Sequence, residues 1–347
     1  MGEPVLSPPL LEVRDLVKHF PLPHTLLDAA LRRVPERVRA VDGVSFTLNR
    51  GRTLGLVGES GCGKSTLGRC LLRLHDADRG AVLFDGVDLM KLTEAELAPY
   101  RKRMQVVFQD PYASLNPRQR VDRMLREVLD VHDLGTPSTR PRRVDELLVQ
   151  VGLSPADGHK YPGEFSGGQR QRVGIARALA VEPELLIADE PLSALDVSIQ
   201  AQILQLLLDL RASLSLTMIF ISHDLRVVRY LSDEVAVMYL GVIVERAPTV
   251  ELFARPQHPY TMALLSAVPE VGGARREPAP IEGEPPSAVR IPPGCRFHPR
   301  CPSRVERCPR ESPQLDELLP GHLVACHVVA DRLAAGAATR SHATLTT

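Results

Sequence analysis

Eight consecutive residues, Gly58-Glu59-Ser60-Gly61-Cys62-Gly63-Lys64-Ser65, followed by Thr66, have the types and spacing needed to hold a row of phosphates. They fit the pattern G-x-x-x-x-G-K-[ST]. Glycines let such a loop turn its backbone N–H groups inward, and a helix beginning at its end adds positive potential. A lysine in this position reaches the β- and γ-phosphates, and the hydroxyl after it is a ligand for Mg²⁺. Gly58 through Thr66 are therefore candidate nucleotide contacts.

A second chemical signal is Leu185–Glu190, an apolar run ending in two carboxylates, Asp189 and Glu190. A buried strand of this kind delivers Asp189 to the Mg²⁺ shell at its C-terminal end, where α/β sheets bind ligands. Glu190, one residue on, is placed to polarise a water beside the γ-phosphate. Three further positions follow apolar or glycine-rich signals. Gln109 comes after Met104–Phe108. Ser166-Gly167-Gly168-Gln169 leads into Val173–Ala180, an amphipathic helix. His223 follows Phe220-Ile221.

The elements that must position these residues are legible in outline. Leu10–Phe20 and Val38–Leu48 read as strands, the second alternating at Val41, Val44, Phe46 and Leu48. Between them Pro21–Arg37 is an insert rich in Pro, Leu and Arg. Its basic stretch (Arg32, Arg33, Arg37, Arg39) reads as a solvated excursion, with anionic headgroups or a partner as the alternative. From Thr53 to Ser222 strands alternate with helices, the pattern of a largely parallel sheet. Helices are expected at Lys64–Leu74, Ala95–Arg103, Val121–Val131, Arg143–Val151, Gly167–Ala180, Ser198–Ser213 and Leu225–Leu231. Val235–Tyr239 and Val242–Glu245 read as strands joined at Gly241, and a helix is expected around Tyr260–Ala267. Gly272–Pro293 reads as a linker or strap, and the residues past Asp331 as a loose tail.

Bulk properties narrow the class. The 347 residues carry 42 Lys+Arg and 42 Asp+Glu, so net charge gives no footprint for nucleic acid. No run reaches the ~18 uninterrupted apolar residues of a membrane helix, because Ile203–Ser222 is interrupted by Asp209 and Arg211. The N-terminus lacks a signal pattern, so a cytosolic protein is expected, with any membrane role through partners.

The combination resembles the ATP-binding cassette (ABC) ATPases. Phe165-Ser166-Gly167-Gly168-Gln169 and the three residues after it match that family's signature, and Ser193–Asp196 resembles its D-loop. Ile221–Asp224 resembles its switch region, and Gln109 its Q-loop glutamine. The resemblance implies an α/β fold: an ABC-type phosphate-loop cassette over residues 10–267, with a mainly parallel core sheet and an antiparallel β subdomain. A helical subdomain at about 110–180 would carry the signature. Beyond the cassette it implies a Cys-rich C-terminal extension over 268–330, with a flexible tail over 331–347. It also implies ATP and Mg²⁺ as ligands, the ion held by Ser65, Gln109 and Asp189. Glu190, His223 and Gln109 would serve hydrolysis. Ser166, Gly167, Gly168, Gln169 and Asp196 would reach a nucleotide on a paired chain, and Phe20 would stack on adenine, with His19 as the alternative.

Arg255–Thr261 and the C-terminal segment look like the extension of oligopeptide/dipeptide importer ATPases, and Val41–Phe46 looks most like the F-type subunit. That resemblance implies a related D-type ATPase partner, two permease chains, an extracytoplasmic binding protein and a peripheral place on the cytoplasmic face of the membrane. Dipeptides, oligopeptides, nickel complexes and glutathione are all open as cargo. Departures are the Pro21–Arg37 insert and Gly163, where the family often has His. Non-transport cytosolic and chromosome-associated ABC ATPases fit less well, because one set of motifs is present and no sustained heptads separate loop from signature. A regulatory subunit without hydrolysis would be expected to lack Glu190 or His223.

Cys295, Cys301, Cys308 and Cys326 are spaced x5, x6 and x17. Four thiolates suit an iron–sulfur cluster or zinc, although the tight C-x-x-C knuckles usual for structural zinc are missing. The resemblance favours a [4Fe-4S] cluster pinning the segment to the cassette; zinc and unmetallated thiols are the alternatives.

Overall fold

In the computed structural model, which describes residues 8–23, 36–193, 195–267 and 283–343, the first two alternating segments pair as a long antiparallel hairpin. These are β1 (Leu11–Pro21) and β2 (Arg37–Leu48). The N–H of Leu22 donates to the carbonyl of Glu36 at 2.9 Å, so the Pro21–Arg37 insert is the connection of this hairpin. Arg32 and Arg33 lie outside the described residues, whereas Arg37 and Arg39 are in β2.

After β3 (Thr53–Val57) and α1 (Lys64–Leu71) the chain returns to that hairpin with β4 (Arg79–Phe84) and β5 (Val87–Asp88). The turn between them is Asp85-Gly86, both left-handed, as a tight hairpin requires. A four-stranded antiparallel sheet results, in the order β2-β1-β4-β5.

The helix α2 (Glu94–Arg103) leads into β6 (Met104–Val107) and then a helical layer. That layer is α3 (Pro111–Ser114), α4 (Val121–Val131), α5 (Arg140–Gln150) and α6 (Gly167–Leu179). Its apolar faces, including Leu125, Leu147, Leu148, Val173 and Ile175, belong to the same core as the sheet beneath. The chain then alternates β7 (Leu185–Asp189), α7 (Val197–Leu214), β8 (Thr217–Ile221) and α8 (Leu225–Leu231). It closes the cassette with β9 (Glu234–Tyr239), β10 (Val242–Pro248), α9 (Thr249–Ala254) and α10 (Pro259–Ser266).

With β11 (Asp316–Leu319) and β12 (His322–Val324) from the C-terminal region, the second sheet has eight strands in the order β11-β12-β10-β9-β3-β8-β7-β6. Neighbours from β9 through β6 are parallel. Every residue of β3, β7 and β8 is buried, as expected of parallel strands covered on both faces. Parallel strands end on the same side. The segments after β3, β8, β7 and β6 therefore meet along one edge, in that order.

The C-terminal region adds β11 and β12 to the cassette's own sheet, β12 pairing with β10, and departs from expectation in its last stretch. Buried Glu245 on β10 fastens the join. Its carboxylate bonds the His322 ring at 2.7 Å and accepts the N–H groups of Gln257 at 2.7 Å and His258 at 2.9 Å. The expected tail past Asp331 is instead helical to Ala343, within α11 (His327–Ala343); its Ala-rich sequence is good helix material. Of the expected linker, 272–282 falls outside the described residues. Farther on, the carbonyl of Ala288 straps down the N–H of Arg39 at 3.0 Å. Among the described residues no helix is long and apolar enough to cross a membrane.

Candidate active site

The loop after β3 depends on two glycines for its shape. Gly58 has φ 151°, and a Cβ there would fall 2.2 Å from the carbonyl oxygen of Met238. Gly63 has φ 107°, and its Cβ would fall 1.9 Å from the carbonyl oxygen of Ala40. Any side chain at either position would have to displace backbone. Inside this curve the buried ammonium of Lys64 donates to the carbonyls of Gly58 (2.8 Å) and Glu59 (2.9 Å). Cys62 is buried beneath it, and burial pushes its thiol pKa up, which makes it a packing residue. Ser60 and Gly61 form the exposed crest.

Ser65 opens α1 and donates its hydroxyl to Asp189 Oδ1 at 2.7 Å. Asp189 ends β7 and is buried; loss of solvent pushes its carboxyl above the usual aspartate range, opposed by Ser65 and by the nearby cations Arg69 and Lys64. Glu190, the next residue, has φ 45°, a left-handed conformation uncommon for a residue with a side chain. Its N–H donates to the carbonyl of Ile221 at the end of β8, at 3.0 Å. Its Oε2 accepts from Gln109 Nε2 at 3.2 Å and meets His223 Nδ1 at 3.1 Å. Four strand ends thus converge, bringing together Lys64, Ser65, Asp189, Glu190, Gln109 and His223.

A hydroxyl, a carboxylate and an amide are hard oxygen donors, the set Mg²⁺ prefers. Gln109 turns its amide nitrogen to Glu190, so its oxygen is what it offers an ion. The residues present fit magnesium.

The remaining expected contacts stand apart from this cluster. Ser166 caps α6 in a reciprocal box: its Oγ accepts from the N–H of Gln169 at 3.3 Å, and its own N–H donates to Gln169 Oε1 at 3.0 Å. Gly168 is required by close packing, since a Cβ there would lie 2.3 Å from Cγ2 of Ile199 on α7. Asp196 precedes α7 and makes no side-chain cap bond. Phe20 meets His75 edge-on at 5.5 Å with the Lys18 ammonium 5.2 Å from its ring. His19 is committed elsewhere, to Asp42 at 2.8 Å.

Several residues escaped sequence reasoning. Gln200 of α7 donates to the carbonyls of Leu192 (3.1 Å) and Leu195 (2.9 Å), which fastens the loop after Glu190; Ala194 within it lies outside the described residues. The guanidinium of Arg170 lies 3.8 Å from the centre of the Tyr112 ring, and Arg177 donates to the carbonyl of Ser114. The segment after Gln109 is thereby tied to α6. Tyr260 and Arg300 both reach Glu59, from far along the chain. No local pattern marks any of these.

Cys295, Cys301 and Cys326 are pushed up by burial and by the other thiols of the set, Cys295 to about 11. The N–H of Cys295 donates to the carbonyl of Cys308 at 2.7 Å, which closes that stretch into a loop. Among the described residues, however, no three His, Cys, Asp or Glu side chains are grouped to hold a metal ion, so the geometry lends support neither to zinc nor to the expected [4Fe-4S] cluster.

This arrangement defines a nucleoside-triphosphate hydrolase of the phosphate-loop class. The ABC transporter family matches residues 41–193, and the family described as the oligopeptide/dipeptide transporter C-terminal region matches residues 244–308. The chain is 51% identical over 323 residues to the oligopeptide transport ATP-binding protein AppF of Bacillus subtilis, covering 92% of this chain and 97% of that one. Among solved structures it is similar to the dimeric post-hydrolysis state of the ATP-binding cassette MJ0796 bound to ADP and Pi. That match has a TM-score of 0.60 and 26% identity over 69% of this chain and 98% of the other. It is also similar to cbiO1 of Clostridium perfringens, part of the ABC transporter complex cbiONQ. There the TM-score is 0.60 with 27% identity, covering 72% and 92% of the two chains. The chain belongs to the ATP-binding proteins of the ABC transporter family, in the branch that carries the oligopeptide/dipeptide-transporter C-terminal region.

Two outcomes follow from this geometry. Asp189→Asn keeps an oxygen for Ser65 but no longer buries a charge. Because the native carboxyl has a raised pKa, the wild-type chain carries a penalty at neutral pH that disappears once the acid is protonated. The nucleotide-free variant should melt higher than wild type at pH 7, and the gap should close below about pH 4, the ordinary aspartate range. Thermal unfolding at both pH values checks this, and a variant melting lower at pH 7 contradicts it. Gly168→Ala should impair ATP hydrolysis by driving α6 off Ile199, and Ile199→Ala added to it should restore part of the rate; steady-state phosphate release measures both.

Proposed function

We propose that this chain is the ATP-hydrolysing subunit of an importer for di- or oligopeptides, acting at the cytoplasmic face of the cell membrane beneath separate permease subunits. The observation that carries the reading is Glu190, held between Gln109 and His223 one residue beyond the Asp189–Ser65 pair. The choice of peptides rests on the extent of identity to a peptide-transport relative and on the match of the C-terminal region.

In this reading Lys64 and the N–H groups from Gly58 to Thr66 grip the phosphates. Ser65, Asp189 and Gln109 would hold magnesium, which when bound neutralises charge on the phosphate oxygens. Glu190 orients a water and takes its proton as the water attacks the γ-phosphorus; the bond from that phosphorus to the β–γ bridging oxygen breaks, and ADP leaves with inorganic phosphate. His223, already beside Glu190, contacts the γ-phosphate, and Phe20 supplies the face for adenine, since His19 is engaged with Asp42.

Ser166, Gly167, Gly168, Gln169 and Asp196 serve a nucleotide on a second cassette, a related D-type subunit. α6 is 13 residues long, so its capped N-terminus directs a helix dipole at that partner's γ-phosphate. Nucleotide then bridges the pair, and the closed state is the one it binds better. Two permease chains and an extracytoplasmic binding protein complete the assembly. The Tyr112–Arg170 and Ser114–Arg177 contacts give the segment after Gln109 a fixed relation to α6, which suits a seat for a permease.

Cys295, Cys301, Cys308 and Cys326 would hold a [4Fe-4S] cluster. What supports this reading is the presence of four thiols in one short segment, a ligand set such clusters use. Its part here is structural, pinning the segment to the cassette.

Glu190→Gln is expected to bind ATP normally and lose about 10²–10⁴ in hydrolysis rate; normal turnover in that variant would remove the assignment. Cys301→Ser should lose the iron and the brown colour of the anaerobically purified chain. A wild-type chain containing neither iron nor sulfide would end the cluster proposal.

A further inference from the structure

Glu59, the second residue of the phosphate loop, is anchored at each of its polar groups. Its N–H donates to the Tyr260 hydroxyl at 2.9 Å, and its carbonyl accepts from Lys64 at 2.9 Å. Its carboxylate is taken in a two-pronged grip by Arg300, Nη1 to Oε2 at 2.9 Å and Nη2 to Oε1 at 3.0 Å. Tyr260 belongs to the cassette, but Arg300 comes from the C-terminal segment and immediately precedes Cys301. Its side chain is only 7% exposed and that of Glu59 24%, so the pair is partly shielded from solvent.

We infer that Arg300 is a positioning residue for the phosphate loop, through which the cysteine-bearing C-terminal segment sets the affinity for nucleotide. The inference rests on the nucleotide site proposed above and concerns its control. Glu59 is the loop's acidic residue, and a carboxylate free to swing toward the bound phosphates would repel them. A guanidinium fork both neutralises that charge and fixes its direction, which a lysine's single ammonium does less well.

The segment is itself stiffly placed. Phe297 is buried against Tyr239 and Tyr260, with 5.4 Å between ring centres in each case. Arg296, beside Cys295, reaches Asp42 and the carbonyl of Leu240. Gly241, the residue after Leu240, donates its N–H to the carbonyl of Cys62 in the loop at 2.9 Å. Two arginines, one just after Cys295 and one just before Cys301, thus hold the loop and its surroundings from one short stretch. A shift of that stretch carries Arg300 with it and releases Glu59.

Titration of the purified full-length chain with a fluorescent ATP analogue tests this. Arg300→Met is expected to weaken binding about tenfold, or ~1.4 kcal/mol, and Arg300→Lys by a smaller factor. In an E59Q background, where there is no carboxylate to restrain, R300M should cost less than about twofold. An equal loss in both backgrounds would mean that Arg300 only holds the segment in place and would overturn the inference, as would unchanged affinity in R300M. Should R300M fail to fold, the comparison of R300K in the two backgrounds decides in the same way. A wild-type chain that binds no nucleotide would overturn the proposed function, and this inference with it.

Discussion

A carboxylate buried at the tip of a wholly buried strand is the constraint around which this molecule is arranged. Removing a charged group from water costs several kcal/mol even after relaxation. A hydrogen bond to a charged group contributes only about 1.5–3 kcal/mol. The Ser65 hydroxyl therefore does not offset the burial of Asp189, and the deficit shows as a raised pKa. In the proposed role that deficit is useful, since a divalent cation held by Ser65 and Asp189 would meet a carboxylate already shielded from solvent. Everything that fixes the two residues together, from the parallel β3, β8 and β7 to the glycines that shape the loop before α1, preserves that poise.

The same geometry separates two tasks. In the proposed mechanism hydrolysis belongs to adjacent strand ends, where Gln109, Glu190 and His223 are set by the sheet. The signature belongs to the start of α6, held by a capping box and by the contact of Gly168 with Ile199. The two are joined mechanically. The left-handed turn at Glu190 leads into the loop that Gln200 fastens, and Gln200 lies on the helix that receives Gly168. On the other flank the segment after Gln109 leans on Arg170 and Arg177 of α6. A change at Glu190 or Gln109 thus meets α6 from both sides.

How much of this could be read from sequence follows from the range of each interaction. The strand-end residues were legible because each is announced by an apolar run directly before it, and the phosphate loop because its glycines, lysine and hydroxyl are contiguous. Tyr260 and Arg300 were not legible, because what makes them matter is their approach to Glu59, which is 201 and 241 residues away in the chain. The C-terminal strands were missed for a related reason. Asp316–Leu319 and His322–Val324 are short strands with weak alternation, the first at the sheet edge, and buried Glu245 on β10 ties the second in place. The stretch past Asp331 was misread because its Ala, Thr and Ser content was weighed as low complexity, whereas its alanines favour a helix continuing from His327.

The loop is also wedged between the molecule's two sheets. On one side Gly63 faces the Ala40 carbonyl of β2, and on the other Gly58 faces the Met238 carbonyl of β9. The turn after β9 closes the frame, since Gly241 donates to Cys62 and accepts from the N–H of Asp42, each at 2.9 Å. With glycines at both contacts the backbones already touch, and close-packed interiors transmit displacement rather than absorb it. A shift of the loop at Lys64 would press on the antiparallel sheet and on β9, whose neighbour β10 carries the C-terminal strands. The position of the loop and that of the two sheets are therefore coupled by direct backbone contact.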